Sequence, residues 1–322
     1  MKLGIIGTNF ISDRLCEAAR LVSGVEAAAV FSRGRDTGDA FAARHGIPKV
    51  YTNYGELLTD KDIDAVYVAS PTLCHAPQAI EAMLSGKHVL CEKMMAATLP
   101  EMRAMRRVAG EQGVVLLEAM RPAHDPAYDM IIDSLPRLGK IRRATLEFCQ
   151  YSSRYDRFKA GELTNAFDPK LKNSALADIG IYPLHVAVRL FGVPDTAQGA
   201  SVFMDNGFEG AGSITLGYRD KTVNIVYSKI SDSVNPSVIE GELGSLLINK
   251  ISAPTELTLK LRGCDAERLP LEAPTNNMIY ELAAFRDMVA GERAADEYLE
   301  LTEQAQVIVD EIYRTAGISC RF

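Results

Sequence analysis

The sequence predicts an α/β amino-terminal half built on a doubly wound parallel sheet, followed by an α+β half with a large open, mostly antiparallel sheet. Three observations carry this. Short apolar runs alternate with helical periods up to about residue 120. Strand-like runs then follow one another between turn residues. The 322 residues suffice for two domains at the usual size of roughly 150 residues each. The expected division is residues 1–120 and 121–322.

In the first half, Lys2–Gly7, Val25–Phe31, Ala65–Val68, His88–Cys91 and Val114–Glu118 are short apolar runs, as in strands buried on both faces. Between them, Phe10–Val22 sets Ile11, Leu15, Ala18, Ala19 and Val22 on one helical stripe. Ala76–Leu84 and Pro100–Gln112 behave likewise, with Thr98 ahead of Pro100 as a helix start. Pro122 and Pro126 mark a junction, and 126–135 opens another helix. A helix is expected over Ser174–Leu190. Strands are expected at Ala200–Met204, Gly212–Tyr218, Thr222–Lys229, Ser237–Gly241, Ser245–Asn249 and Glu256–Arg262, then helices at Asn277–Ala290 and Thr302–Ala316.

Composition narrows the function. Apolar residues make up 47% and charged residues 24%, which excludes disorder and collagen-like repeats. With 35 basic against 42 acidic residues the net charge is -7, so nothing supplies the basic footprint of a nucleic-acid or acidic-membrane partner. The apolar run at the amino terminus is too short for a signal-peptide core. No segment reaches the roughly 18 apolar residues of a membrane span. Cys16, Cys74, Cys91, Cys149, Cys264 and Cys320 form no CxxC pair or metal cluster and read as core thiols of a reducing compartment, the cytoplasm. No metal is expected.

Gly7-Thr8-Asn9-Phe10-Ile11-Ser12 stands where the first strand hands over to the first helix, the place of a pyrophosphate in a dinucleotide fold. Of G-x-G-x-x-G only Gly7 remains. Asn9 tolerates a left-handed backbone, and Ser12 is small enough for close packing. The second strand ends in Ser32-Arg33-Gly34-Arg35, without the acidic residue usual for a ribose 2′-hydroxyl. Ser32 and Arg33 suit a 2′-phosphate, so NADP is preferred to NAD; otherwise the arginines are solvated and Asp36 takes the ribose.

Gly7-Thr8, Ser32-Arg33, Ser70-Pro71-Thr72-Leu73-Cys74-His75, Glu92-Lys93 and Asp178-Ile179-Gly180-Ile181-Tyr182-Pro183-Leu184-His185 occur in one order. Together they resemble the glucose–fructose oxidoreductase / inositol dehydrogenase / rhizopine catabolism (Gfo/Idh/MocA) family of NAD(P)-dependent oxidoreductases, over essentially the whole chain. The resemblance implies a Rossmann domain and an α+β domain whose open sheet forms a homodimer or higher homo-oligomer. It places Gly7, Thr8, Asn9, Phe10, Ile11, Ser70, Pro71, Thr72, His75, Glu92 and Lys93 on the cofactor. Lys93 would bind a substrate oxygen beside the nicotinamide. Asp178 and Tyr182 belong to the Asp-x-Gly-x-Tyr motif, Tyr182 in the acid/base position, and His185 matches a further substrate-facing position.

The activity implied is hydride transfer between nicotinamide and a carbinol or carbonyl carbon of a sugar, polyol or cyclic diol. Tyr182 or His185 would carry the proton, and Asp178 would hold Lys93 or a second substrate hydroxyl. The family also contains a dinucleotide-responsive regulator without turnover and redox-assisted glycoside hydrolases, the two alternatives. Where the family reads Glu-Lys-Pro with a cis bond, this chain reads Glu92-Lys93-Met94. A non-proline cis bond costs about 2.5–4 kcal/mol, so a trans bond is expected. Pro183 is expected to kink its helix next to Gly180. The polar and aromatic stretch Gln150–Phe158 is a candidate cover over the substrate.

Overall fold

The computed structural model describes residues 1–318; Cys320 lies outside the described residues. The chain divides into two compact units. The first comprises Met1–Arg121 and Thr275–Glu303, the second Pro122–Pro274 and the residues from Gln304 onward.

The first unit contains β1 (Lys2–Ile6), β2 (Glu26–Phe31), β3 (Lys49–Tyr51), β4 (Ala65–Val68), β5 (His88–Glu92) and β6 (Leu116–Ala119). They form one sheet in the order β3-β2-β1-β4-β5-β6, with every pairing parallel. The order reverses beside β1, and loops at the carboxyl ends of strands flanking such a point are where ligands of open α/β sheets bind. Its helices are α1 (Phe10–Ala19), α2 (Arg35–His45), α3 (Tyr54–Thr59), α4 (His75–Leu84) and α5 (Leu99–Gln112). Thr98 caps α5, its hydroxyl accepting from the Glu101 amide.

Alternation along the strands separates two apolar layers. Leu3, Ile5, Tyr67, Leu90 and Leu117 face one side, whereas Val66, Val68, Val89, Cys91 and Leu116 face the other. The first layer receives Met278, Leu282 and Phe285, which lie on one face of a later helix over Met278–Val289 that packs on α1. A linear cut at residue 120 has no counterpart for this return of 275–303 to the first unit. The apolar side chains at 278, 282 and 285 fill the sheet face beside α1, and no local pattern encodes such a long-range partner.

The second unit continues with α6 (Arg121–His124, whose first residue belongs to the first unit), α7 (Ala127–Ser134), α8 (Tyr155–Lys159) and α9 (Ile181–Phe191). Its strands are β7 (Ile141–Cys149), β8 (Thr196–Phe203), β9 (Glu209–Gly217), β10 (Thr222–Ser228), β11 (Ser237–Gly241), β12 (Gly244–Ile248), β13 (Leu257–Leu261) and β14 (Glu267–Arg268). They form an eight-stranded sheet in the order β14-β13-β12-β11-β7-β10-β9-β8. Only β7 and β10 pair in parallel. The fold class is therefore the expected one. The helix over Met278–Val289 is α10, and α11 spans Asp296–Thr315. Among the described residues no helix is long and apolar enough to cross a membrane.

Candidate functional site

In the first unit the site residues sit on loops at the carboxyl ends of β1, β2, β4 and β5. Gly7 follows β1 with φ +106°, and a Cβ there would stand 2.8 Å from the Ala69 carbonyl oxygen. Asn9 departs from expectation: its backbone is extended (φ -89°, ψ 176°), not left-handed, because it is the N-cap of α1. Its Oδ1 accepts from the amides of Ile11 (3.0 Å) and Ser12 (3.2 Å), and its Nδ2 donates to the Ala69 carbonyl at 2.7 Å. Gly7 alone thus supplies the unusual φ of the turn. Among the described residues the amides of Thr8, Asn9 and Phe10 have no acceptor, so they are the donors left to an anion at this helix start. Phe10 is exposed beside them, and Ser12 is buried against the sheet.

This cradle fits a diphosphate, since it is open only where a Cβ is missing. Gly7→Ala is expected to destabilise the fold by about 1–3 kcal/mol through the strained φ alone. It should also weaken NADPH binding at least about tenfold, because relief of the clash moves the donors. Thermal melting and a fluorescence titration with NADPH check both; unchanged affinity counts against the cradle.

Ser32 is buried at the end of β2, whereas Arg33 is exposed and has no partner among the described residues. Arg35 is already engaged, its Nε 3.0 Å from the Asp39 carboxylate. Arg33 is therefore the guanidinium of this loop left to bind a phosphate. After β4, the Ser70 hydroxyl donates to Gln78 Oε1 at 2.6 Å, and Pro71 and Thr72 lie at the surface or half-buried. His75 is 1% exposed. Its Nε2 lies 2.8 Å from the Ser70 carbonyl and its Nδ1 2.9 Å from the Met94 carbonyl. Burial pulls its pKa down, and a neutral ring donates to one of these carbonyls at a time. His75 staples the loop after β4 to the turn after Lys93.

Lys93 leaves the carboxyl end of β5 half-buried. The Lys93–Met94 peptide is cis, correcting the trans bond expected for a non-proline pair. That expectation weighed the dipeptide alone, and three hydrogen-bonding groups fix the backbone around it. Glu92 Oε2 accepts the Lys93 amide at 3.2 Å, Glu118 Oε1 accepts the Met95 amide at 2.9 Å, and His75 holds the Met94 carbonyl. Glu92 is buried and accepts from the Tyr67 hydroxyl at 2.5 Å; burial raises its pKa. Burial likewise pushes Glu118 up to about 7. Glu92 thus supports the backbone of the lysine from behind.

In the second unit, the Asp-x-Gly-x-Tyr segment is not one continuous α-helix. Ser174 accepts the Ala177 amide on its hydroxyl, a π-helical turn covers Leu176–Gly180, and α9 begins at Ile181. Pro183 explains the change. It has no N–H for the Ile179 carbonyl, so the chain widens to an i→i−5 bond from the Ile181 amide to the Leu176 carbonyl. The expected kink is realised as this wide turn, which interrupts the continuous helix expected over Ser174–Leu190. Gly180 is needed there: a Cβ would lie 2.9 Å from the Tyr227 ring.

The turn separates three environments. Asp178 keeps 38% of its side chain exposed, Tyr182 is buried with its ring 5.7 Å from that of Phe148, and His185 is 1% exposed. Burial drives the His185 pKa down to about 3, so its imidazole is neutral, and Nδ1 has no partner among the described residues. Sequence reasoning missed Lys229, whose Nζ lies 2.8 Å from Asp178 Oδ2. The signal was available: like Lys93, Lys229 is a lysine at the carboxyl end of an apolar strand.

A model of the Gfo/Idh/MocA oxidoreductase family, with an NAD-binding Rossmann fold, matches residues 1–120. A scyllo-inositol 2-dehydrogenase (NADP(+)) of Bacillus subtilis is 35% identical over 320 residues, covering 99% of this chain and 98% of that protein. The chain belongs to this family. As a Gfo/Idh/MocA protein it is an NAD(P)-dependent oxidoreductase, and it is also similar to an uncharacterised oxidoreductase of Escherichia coli (35% identity, covering 99% of this chain and 97% of that protein). Among solved structures, a 3-ketoreductase from Actinomadura kijaniata in complex with NADP and TDP-benzene shares 25% identity and a TM-score of 0.88, covering 98% of this chain and 97% of that one.

Proposed function

We propose that this enzyme is an NADP-dependent dehydrogenase of a polyol, sugar or cyclic diol, with Lys93 and Tyr182 in its catalytic roles. The observation that carries the reading is the lysine at the end of β5, backed by buried Glu92, in a chain that also keeps Asp178 and Tyr182. When bound, the nicotinamide supplies the hydride acceptor or donor. Thr8–Phe10 bind the diphosphate, and Ser32 with Arg33 binds the 2′-phosphate. Lys93 binds the substrate oxygen and steadies its negative charge as the proton leaves. Tyr182 moves that proton through its phenol oxygen. Asp178 orients a neighbouring hydroxyl. His185, neutral and buried, holds a hydroxyl or its own helix rather than carrying the proton.

Relatives support the substrate class: besides the scyllo-inositol dehydrogenase, a trans-1,2-dihydrobenzene-1,2-diol dehydrogenase of Mus musculus is 28% identical, covering 80% of this chain and 78% of that protein. The same reading places the chain in the cytoplasm, in keeping with free Cys16, Cys74, Cys91, Cys149 and Cys264. It also gives a homodimer or higher homo-oligomer through the eight-stranded sheet.

The test is a fluorescence titration with NADPH and NADH, then a polyol and diol screen that includes scyllo-inositol, followed at the reduced nicotinamide band. Arg33→Ala is expected to weaken NADPH binding about 10- to 100-fold while leaving NADH within about twofold, because one charge-assisted contact to phosphate contributes about 1.5–3 kcal/mol. Equal losses for both nucleotides would remove Arg33 from the 2′-phosphate. Nucleotide binding without turnover of any compound would favour a sensor, and sugar release without net redox a glycosidase.

A further inference from the structure

Lys229 follows β10 directly, and its backbone is fixed on both sides. Its amide donates to the Gly210 carbonyl at 2.9 Å, and its carbonyl accepts the Ser152 amide at 2.9 Å. The side chain is 4% exposed, yet it ends in an ammonium. A buried ammonium is unfavourable unless opposite charge and acceptors surround it. Here Nζ lies 2.8 Å from Asp178 Oδ2 and donates to the Ala166 carbonyl at 2.7 Å. The rings of Phe167 and Phe208 flank it, with centroids 4.9 and 5.2 Å away, close enough for attraction between cation and ring. Phe167 in turn packs on Tyr155 and Phe158 at 5.6 and 5.4 Å, so the ammonium lies under the aromatic stretch that the sequence marks as a cover.

We propose that Lys229 is a positioning residue for the reaction: it fixes the Asp178 carboxylate for a substrate hydroxyl and ties residues 164–167, with their aromatic neighbours, to that carboxylate. The proposal rests on the dehydrogenase reading above, but its structural half does not need turnover to be tested. A lysine that only filled space would be replaced by methionine, of similar length, without consequence for Asp178. Removing the ammonium strands no buried charge, because Asp178 is partly exposed and can be hydrated.

The experiment compares the full chain with Lys229→Met, Asp178→Asn and the double variant. Lys229→Gln, which keeps a donor for the Ala166 carbonyl, is the second variant should Lys229→Met not fold. Hydrogen–deuterium exchange without ligand is expected to rise at least about tenfold at amides 164–178 in Lys229→Met, and not in β7. For scyllo-inositol oxidation, kcat should fall about 100-fold, more than KM rises, since a misplaced orienting group costs about that much. NADPH affinity should stay within about twofold. In the Asp178→Asn background the same substitution should cost less than about threefold, because the two residues act as one unit. Unchanged exchange at 164–178, or losses that multiply in the double variant, would overturn the proposal. Absence of wild-type turnover on every compound screened would count against the dehydrogenase reading instead, and the exchange result would still decide Lys229.

Discussion

Lys93→Met is expected to lower kcat for the polyol by about 10²–10³-fold while leaving the NADPH dissociation constant within about twofold. The split follows from where the two jobs are done. The donors proposed for the diphosphate and 2′-phosphate, Thr8–Phe10 and Arg33, lie on the loops after β1 and β2, and none depends on the Lys93 ammonium. The lysine's own backbone is set by Glu92, Glu118 and His75, whose hydrogen bonds meet peptide groups that methionine also has. The variant therefore loses the ammonium while the hydrogen bonds that set its backbone remain. Stopped-flow reduction of NADP at saturating polyol, with a parallel NADPH titration, makes the measurement. Turnover within about tenfold of wild type would remove Lys93 from the substrate oxygen and, with it, the proposed mechanism.

How much of this was legible in the sequence depends on how local each signal is. Lys93 could be found because β5 is a short apolar run that stops at a charged pair, and a strand's length is a local property. The bounds expected for β11, Ser237–Gly241, are those observed, for the same reason. By contrast β7, the central nine-residue strand of the second sheet, was not recognised. Its adjacent Arg142 and Arg143 interrupt the period of two, and both pair with distant carboxylates, Glu242 and Glu240. Helix α2 was missed too, because its glycine and charged residues leave only Gly38, Phe41 and Ala42 buried.

In the site, the residue types were legible and several of their environments were not. Asn9 reads equally well as a left-handed turn residue or as a cap. The carbonyl of Ala69, sixty positions away and bound by its amide, belongs to the turn that encloses it as a cap. His75 lies in a cofactor-loop motif, but its burial between two carbonyls gives it to the scaffold. Lys229 appeared as the last residue of a strand, and its meaning came only with Asp178 beside it. These are tertiary facts, set by which loops the sheet order brings together.

Tyr182→Phe is expected to lower kcat by about 10²–10⁴-fold, the usual range for loss of a positioned proton carrier. His185→Gln should cost less than about tenfold. The ring of Tyr182 is buried against Phe148, and phenylalanine keeps that packing, so the loss measures the phenol oxygen rather than a cavity. For His185 the electrostatics run the other way. Burial, with the Arg189 guanidinium adding to it, lowers its pKa to about 3, so the ring stays neutral as pH falls from 8 to about 4. A group that does not change charge there cannot produce a limb of the pH–rate profile near neutrality, and glutamine retains a polar group where the imidazole was. The kcat–pH profile of His185→Gln should therefore overlay that of the wild type in shape. A larger loss in His185→Gln than in Tyr182→Phe, or a limb near pH 6–7 that vanishes with the histidine, would transfer the proton from residue 182 to residue 185.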